Sequence, residues 1–76
     1  MDTPQRTDKD LLERLTAREI EVLRLVAEGC DNQTIANRLV LDRATIRTHV
    51  ATVLTKLDAH SRLQAVARAM RLGLCG

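Results

Sequence analysis

Apolar residues recur at helical spacing along this chain of 76 residues, and the clearest stripe lies between Asp42 and Leu57. On a helix that turns about 100° per residue, the apolar positions of this stretch fall within an arc of about 100°. They are Ile46, Val50, Val53, Leu54 and Leu57. We therefore predict a helix over residues 43–57 that buries this arc and begins after an N-cap at Asp42.

The opposite side of this helix is built mainly from small side chains. It carries Ala44, Arg47, Thr48, Ala51, Thr52 and Thr55, with no acidic residue. Solvated helix faces are usually rich in Glu and Lys, which have high helix propensity. Small side chains around one guanidinium suit the major groove of DNA, where arginine reads guanine and methyl groups of threonine or alanine contact thymine. The alternative is an ordinary amphipathic helix whose outer face is merely rich in threonine.

A capping box predicts the first firm helix, which opens at Thr16 and ends at Gly29. In Thr16-x-x-Glu19 the hydroxyl accepts the amide of Glu19, whose carboxylate accepts the amide of Thr16. The inward stripe of this helix is Val22, Leu23 and Val26. Glu19 falls within the same inward arc, so we expect it to be a structural cap or a member of a buried ion pair.

Two more helices follow from the same kind of signal. Asp31 or Asn32 caps a short helix that ends by about Val40. A capping box at residues 61–64 begins the last helix, which closes at Gly73. The inward positions of the last helix are predicted to be Leu63, Val66, Ala67 and Met70.

The pattern as a whole predicts an all-α fold, a compact four-helix domain over residues 9–76. Residues 1–8 are polar and contain the only proline, so we expect a flexible arm or linker there. Residues 9–14 are expected to add one turn of helix that packs Leu11, Leu12 or Leu15 against the rest of the domain. The second and third helices have the spacing of a helix-turn-helix, with about eight residues and then a turn of about three before a longer helix.

Charge is distributed unevenly although the net charge is only +2. Residues 1–42 hold six basic and nine acidic side chains, whereas residues 43–76 hold six basic and one acidic. The second half is therefore expected to face an anionic partner. The chain has no Phe, Tyr or Trp, which argues against single-stranded nucleic acid, because its binders stack bases on aromatic rings.

Cys30 and Cys75 lie far apart, and neither has zinc-ligand spacing to the other or to a histidine. We expect free thiols in a reducing cytoplasm and no metal or cofactor. No apolar run has membrane-spanning length, and we expect no signal peptide. An enzyme is disfavoured because the chain shows no nucleophile–base pair and no glycine-rich phosphate loop.

Three groups of residues carry a more specific signal. They are Leu15-Thr16-x-Arg18-Glu19-x-Glu21-Val22-Leu23, then Gly29-x-x-Asn32-x-x-Ile35-Ala36-x-x-Leu39, then Thr45-Ile46-Arg47-x-His49 with Lys56-Leu57. From about Leu15 to Leu74 the chain resembles the LuxR-type (NarL/FixJ-type, GerE-like) helix-turn-helix DNA-binding domain of bacterial transcription regulators. The resemblance implies a domain that binds double-stranded DNA as a dimer, usually at the C-terminal end of a larger regulator.

The resemblance also implies roles for particular residues. Arg47 would contact bases or phosphate in the major groove, while Thr45 and Lys56 would hold the phosphate backbone. An ordinary surface lysine is the alternative for Lys56. The full set of candidate DNA-binding residues is Arg43, Ala44, Thr45, Arg47, Thr48, Ala51, Thr52 and Lys56.

The last helix is the expected place of a homodimer contact, because the resemblance puts the family's dimer contact there. A second small-residue stripe runs along that helix, and a basic residue lies near its start. The candidate dimer residues are Arg62, Ala65, Ala69 and Leu72. The alternative is that this stripe is a fringe of the core.

Asp42 departs from the family pattern, which usually has serine there, and it puts a negative charge near phosphates. Ala51 stands where some members place a basic base-reader. Two other functions stay open. One is a sigma-factor-like promoter-reading domain, whose helix-turn-helix looks similar, and the other is a helical interaction module without DNA binding, which Asp42, Thr34 and the low net charge support. The polar start favours an upstream receiver or ligand-binding domain, with a free-standing domain as the alternative.

Overall fold

The computed structural model describes residues 8–74, with side chains from Asp10 onward. This part forms five helices: α1 (Asp8–Glu13), α2 (Ala17–Ala27), α3 (Asn32–Leu39), α4 (Arg43–Lys56) and α5 (Arg62–Arg71). The all-α prediction is confirmed, and the turn expected over residues 9–14 is the six-residue helix α1. The predicted arm lies outside the described residues except for Asp8, which begins α1, and Cys75 also lies outside them.

Capping side chains begin the helices where the sequence predicts them. At the start of α2, Thr16 Oγ1 accepts the amide of Glu19 at 3.1 Å, and Glu19 Oε1 accepts the amide of Thr16 at 2.8 Å. Asp31 caps α3 by accepting the amide of Thr34 at 2.8 Å. The capping box predicted at Thr16 and the short helix predicted after Asp31 are both confirmed. Each capping hydrogen bond joins residues within one helical turn, so its spacing is visible in the sequence.

The core is aliphatic and has two buried clusters, each of which receives side chains from α2 and α4. The first consists of Leu11, Leu15, Leu23, Val53, Leu57, Ala65 and Ala69. The second consists of Val22, Val26, Ile35, Ala36 and Ile46. The inward stripes predicted for α2 and α4 are thereby confirmed, and α1 is joined to the first cluster through Leu11. Among the described helices, none combines the length and the apolar character that crossing a lipid bilayer requires.

The inward face of α5 was predicted wrongly. Leu63 and Met70 are 78% and 63% exposed, whereas Ala65 and Ala69 are 1% and 0% exposed in the first cluster. Only Val66 of the predicted inward set is partly buried, against the second cluster. Since α5 packs along α2, the alanines on the facing side allow the close approach that larger side chains would prevent. The exposed stripe that results is Leu63, Ala67 and Met70.

Two of the residues that connect the helices, a glycine and a β-branched residue, have a positive φ. Gly29, after α2, has φ +92°, as predicted for a C-terminal glycine. Val40, the C-cap of α3, has φ 57° and ψ 48°, which is unusual for a β-branched residue. This strained residue lies in the turn that joins α3 to α4.

Candidate nucleic-acid interface

The outer side of α4 is open to solvent along most of its length. Of the residues predicted to bind DNA, Arg43, Ala44, Arg47, Thr48 and Ala51 are exposed, and Thr45, Thr52 and Lys56 are half-buried. The opposite side is anchored by Ile46 and Val53, which are 0% and 2% exposed. We call this outer side, from Arg43 to Thr55, the α4 face. It is a continuous convex surface on a helix whose other side is fixed in the core.

Two threonine hydroxyls on the α4 face are directed back to the helix itself. Thr48 Oγ1 donates to the carbonyl of Ala44 at 3.2 Å, and Thr55 Oγ1 donates to the carbonyl of Ala51 at 3.1 Å. Bonds of this kind satisfy the hydroxyl proton within the helix. The α4 face is therefore less polar than its threonine content suggests.

Arg47 is an unpaired cation on the α4 face. Among the described residues it has no hydrogen bond or ion pair, and its side chain is exposed. The pKa of Asp31 is lowered mainly by the hydrogen bond from the amide of Thr34, and the charge of Arg43, one turn before Arg47, makes a smaller contribution. Neither arginine has an ion pair among the described residues, and Arg47 is the one of the two whose charge does not act on Asp31.

A carboxylate lies at the N-terminal end of α4. Asp42 accepts the amide of Thr45 at 2.7 Å, which confirms the predicted cap. That backbone hydrogen bond is the main reason why the pKa of Asp42 is below its ordinary value, and the hydroxyl of Thr45 contributes as well. The group is ionised at neutral pH, so the α4 face begins with a negative charge.

Lys56 does not point freely from the α4 face. Its Nζ donates to Glu19 Oε1 at 2.8 Å, and its side chain is only 33% exposed. Burial would raise the pKa of Glu19, but the hydrogen bonds from Lys56 and Thr16 together with the lysine charge hold it below its ordinary value. Glu19 is thus both a cap and a member of a buried ion pair, the two roles predicted for it.

Arg14 was missed by the sequence reasoning. Its Nη1 donates to the carbonyl of Lys56 at 2.9 Å and lies 3.8 Å from Asp58 Oδ2. The contact satisfies a carbonyl group at the C-terminal end of α4, where helices leave such groups without an internal partner. A partner 42 residues away has no local signature in the sequence.

The residues predicted for a dimer contact lie mostly inside the fold. Ala65 and Ala69 are core residues, and Leu72 packs against the first cluster. Arg62 donates to Asn32 Oδ1 at 2.9 Å and to the carbonyl of Cys30 at 2.7 Å, so it holds the α2–α3 loop. These alanines offer no surface to a second copy; the exposed stripe on the other side of α5 does.

Comparison with known proteins gives one family throughout. The family profile described as GerE, bacterial regulatory proteins of the luxR family, matches residues 13–69. The chain is 45% identical over 62 residues to the response regulatory protein YgeK of Escherichia coli, covering 82% of the chain and 42% of that protein. It is 42% identical over 66 residues to the transcriptional regulatory protein YxjL of Bacillus subtilis, covering 87% of the chain and 30% of YxjL. It is 43% identical over 65 residues to the response regulator VraR of Staphylococcus aureus, covering 86% of the chain and 31% of VraR. The chain therefore spans less than half the length of each of these relatives.

Proposed function

The chain belongs to the luxR family of bacterial regulatory proteins, which are DNA-binding transcription regulators, and on that premise we propose that it reads a duplex DNA sequence through α4. It would act as the output domain of a regulator. The observation that carries this proposal is the α4 face, where an unpaired Arg47 is surrounded by small exposed side chains. The major groove is about 12 Å wide and admits a helix of this kind.

The contacts on the α4 face divide into base contacts and backbone contacts. Arg47 is the proposed base reader, because a guanidinium can bond to guanine with two parallel hydrogen bonds. Thr48 lies next to it with its hydroxyl bonded to Ala44, so we propose an apolar contact between its methyl group and thymine. The remaining proposed DNA-binding residues, which lie against the backbone or the groove wall, are Arg43, Ala44, Thr45, Ala51 and Thr52.

A homodimer is the second part of the proposal. Leu63, Ala67 and Met70 occupy positions i, i+4 and i+7 of α5 and are exposed together. This stripe replaces the one expected from the sequence, and it offers an apolar strip to the same strip on a second copy. Two copies joined in this way would present two α4 faces to two half-sites.

Selection of bound sequences from a random duplex pool tests this function. We expect an enriched motif with two half-sites about one helical turn apart, and an affinity that falls steeply as the salt concentration rises. Arg47→Ala should weaken binding to the selected duplex by about 1–3 kcal/mol. Arg24→Ala, which removes an exposed arginine from α2, is the matched control and should leave the affinity unchanged. If no motif is enriched and the protein shows no salt-dependent binding to duplex DNA, the result would instead support an interaction module without DNA binding.

A substitution of Met70 tests the dimer separately from DNA recognition. Met70→Glu places a charge in the middle of the exposed strip and should raise the dissociation constant of the dimer measured by sedimentation. It should weaken binding to a duplex with two half-sites more than binding to a duplex with one. Equal losses on both duplexes would show that α5 does not join the two copies.

A further inference from the structure

The C-terminal end of α4 is fastened to the start of α2 by both the backbone and the side chain of one residue. The Lys56 carbonyl accepts from Arg14 at 2.9 Å, and Lys56 Nζ donates to Glu19 Oε1 at 2.8 Å. The same oxygen of Glu19 accepts the amide of Thr16 at 2.8 Å. We call these four residues, Arg14, Thr16, Glu19 and Lys56, the Lys56 junction.

We propose that Lys56 is a positioning residue that sets the orientation of α4 through Glu19, and that it does not hold a DNA phosphate. The proposal rests on the proposed DNA binding through α4. To reach a phosphate, Lys56 would have to leave the carboxylate of Glu19, a residue that is only 7% exposed. A buried charge that loses its partner is strongly unfavourable. The ammonium group of Lys56 is therefore expected to stay paired with Glu19 and not to bind a phosphate.

The Lys56 junction restricts rotation of α4 about its axis, which the apolar core contacts do not. Val53 and Leu57 hold the end of α4 in the first cluster, but apolar contacts have little directional preference. Hydrogen bonds between charged groups do have a preferred direction, so the junction restricts rotation of α4 about its own axis. Arg47 lies nine residues before Lys56, about 13 Å along the helix, and a small rotation or tilt at one end displaces it from a base edge.

Glu19→Gln separates positioning from phosphate binding, because the two hypotheses predict opposite signs. Glutamine still accepts the amide of Thr16, so the capping box persists while the charge is removed. If Lys56 holds a phosphate, the variant frees the lysine and removes a negative charge, and binding becomes tighter. If Lys56 positions α4, binding becomes weaker by at least about threefold.

Glu21→Gln is the matched control for this experiment. Glu21 is on the same helix and is exposed, and its ion pair with Arg18, at 3.8 Å, is also exposed to solvent. The change in net charge is identical, so the difference between the two variants isolates the junction. The probe is the duplex recovered from the random pool, and each variant is measured well below its own melting temperature.

Lys56→Gln gives an independent readout in case Glu19→Gln does not fold. Losing one phosphate contact would reduce the slope of log affinity against log salt concentration by about 0.9. Positioning predicts weaker binding, again by at least about threefold, with the slope unchanged. A tighter complex for Glu19→Gln than for Glu21→Gln, or a slope reduced by one phosphate for Lys56→Gln, would overturn the proposal.

Hydrogen exchange distinguishes failure of this inference from failure of the proposed function. If the wild-type protein binds no duplex in a salt-dependent manner, the DNA-binding function is wrong, and with it the effect on recognition. The junction itself is still tested without DNA, since the last-turn amides of α4 should exchange faster in Glu19→Gln than in Glu21→Gln. Equal exchange in the two variants would show that the junction does not hold α4.

Discussion

Val40 is the residue whose replacement should stabilise this domain most directly. It has φ 57° and ψ 48° at the C-terminal end of α3, and its amide donates to the carbonyl of Ala36. In this left-handed conformation the Cβ of an L-residue comes too close to the following carbonyl oxygen. Glycine has no Cβ and adopts the conformation freely, so Val40→Gly should raise the free energy of unfolding.

The expected change in the free energy of unfolding combines one stabilising contribution with two smaller opposing ones. Relief of the left-handed strain is worth about 1–2 kcal/mol. The greater freedom of glycine in the unfolded chain opposes this by about 0.4–1 kcal/mol. Val40 is 87% exposed, so the lost burial is only about 0.2–0.4 kcal/mol. The net gain is about 0.5 kcal/mol, which corresponds to a rise of about 2–4 °C in the melting temperature of a domain this small.

Far-ultraviolet circular dichroism is the appropriate assay, because a chain without Phe, Tyr or Trp has no intrinsic fluorescence to follow. Val40→Ala is the control, since it removes the branched methyl groups but keeps the Cβ that causes the strain. Gly29→Ala is the converse change: no atom lies within 4 Å of the added Cβ, so φ +92° alone should destabilise the domain. A melting temperature of Val40→Gly at or below that of Val40→Ala would refute the reasoning.

Three further predictions concern Thr48, Asp42 and the carboxyl groups at the starts of the helices. Thr48→Val keeps the methyl contact and should leave the preference for thymine intact, whereas Thr48→Ser should lose it; the opposite order in a binding titration would show that the hydroxyl is the reader. Asp42→Asn keeps the N-cap but removes a negative charge beside the proposed phosphates, so the affinity for the selected duplex should rise, and a weaker complex would contradict that placement. The pKa values of Glu19, Asp31 and Asp42 lie below their ordinary values of 4.5, 3.8 and 3.8, so the unfolded chain takes up protons first as the pH falls. The free energy of unfolding should therefore be steady above about pH 5 and decrease below it, as measured by urea titration; a constant value down to about pH 3 would contradict this.

The features that the sequence predicted correctly depend on neighbouring residues. The caps Thr16, Asp31 and Asp42 each accept an amide three residues ahead, and the chain shows that spacing directly. The buried arc of α4 was equally clear, because only one side of that helix carries branched aliphatic residues. Ser61 caps α5 as expected, but the side chain of Gln64 accepts the amide of His60 instead of completing the box.

The face of α5 could not be predicted from hydrophobicity alone. Its residues include apolar side chains on both sides, and a scale that ranks leucine and methionine above alanine assigns the larger ones to the core. The buried side is decided by the close packing of α5 on α2, which favours Ala65 and Ala69. Leu63 and Met70 are left exposed for the same reason. The distance between two packed helices depends on the side chains of both, so it cannot be predicted from the sequence of α2 or of α5 taken alone.

If α4 binds DNA as proposed, the charges of the α4 face imply that one copy of this domain binds weakly. Its first residue is preceded by the ionised Asp42, Arg43 lies in the field of Asp31, and Lys56 is neutralised by Glu19. Neither Arg43 nor Arg47 has an ion pair among the described residues, so these two guanidinium groups are the free positive charge of this face. Since nonspecific affinity grows with the number of phosphates neutralised, a face with so little free positive charge gains little from the backbone. In the proposed complex, discrimination therefore comes from Arg47 and its small neighbours, and useful affinity comes from two copies binding two half-sites at once.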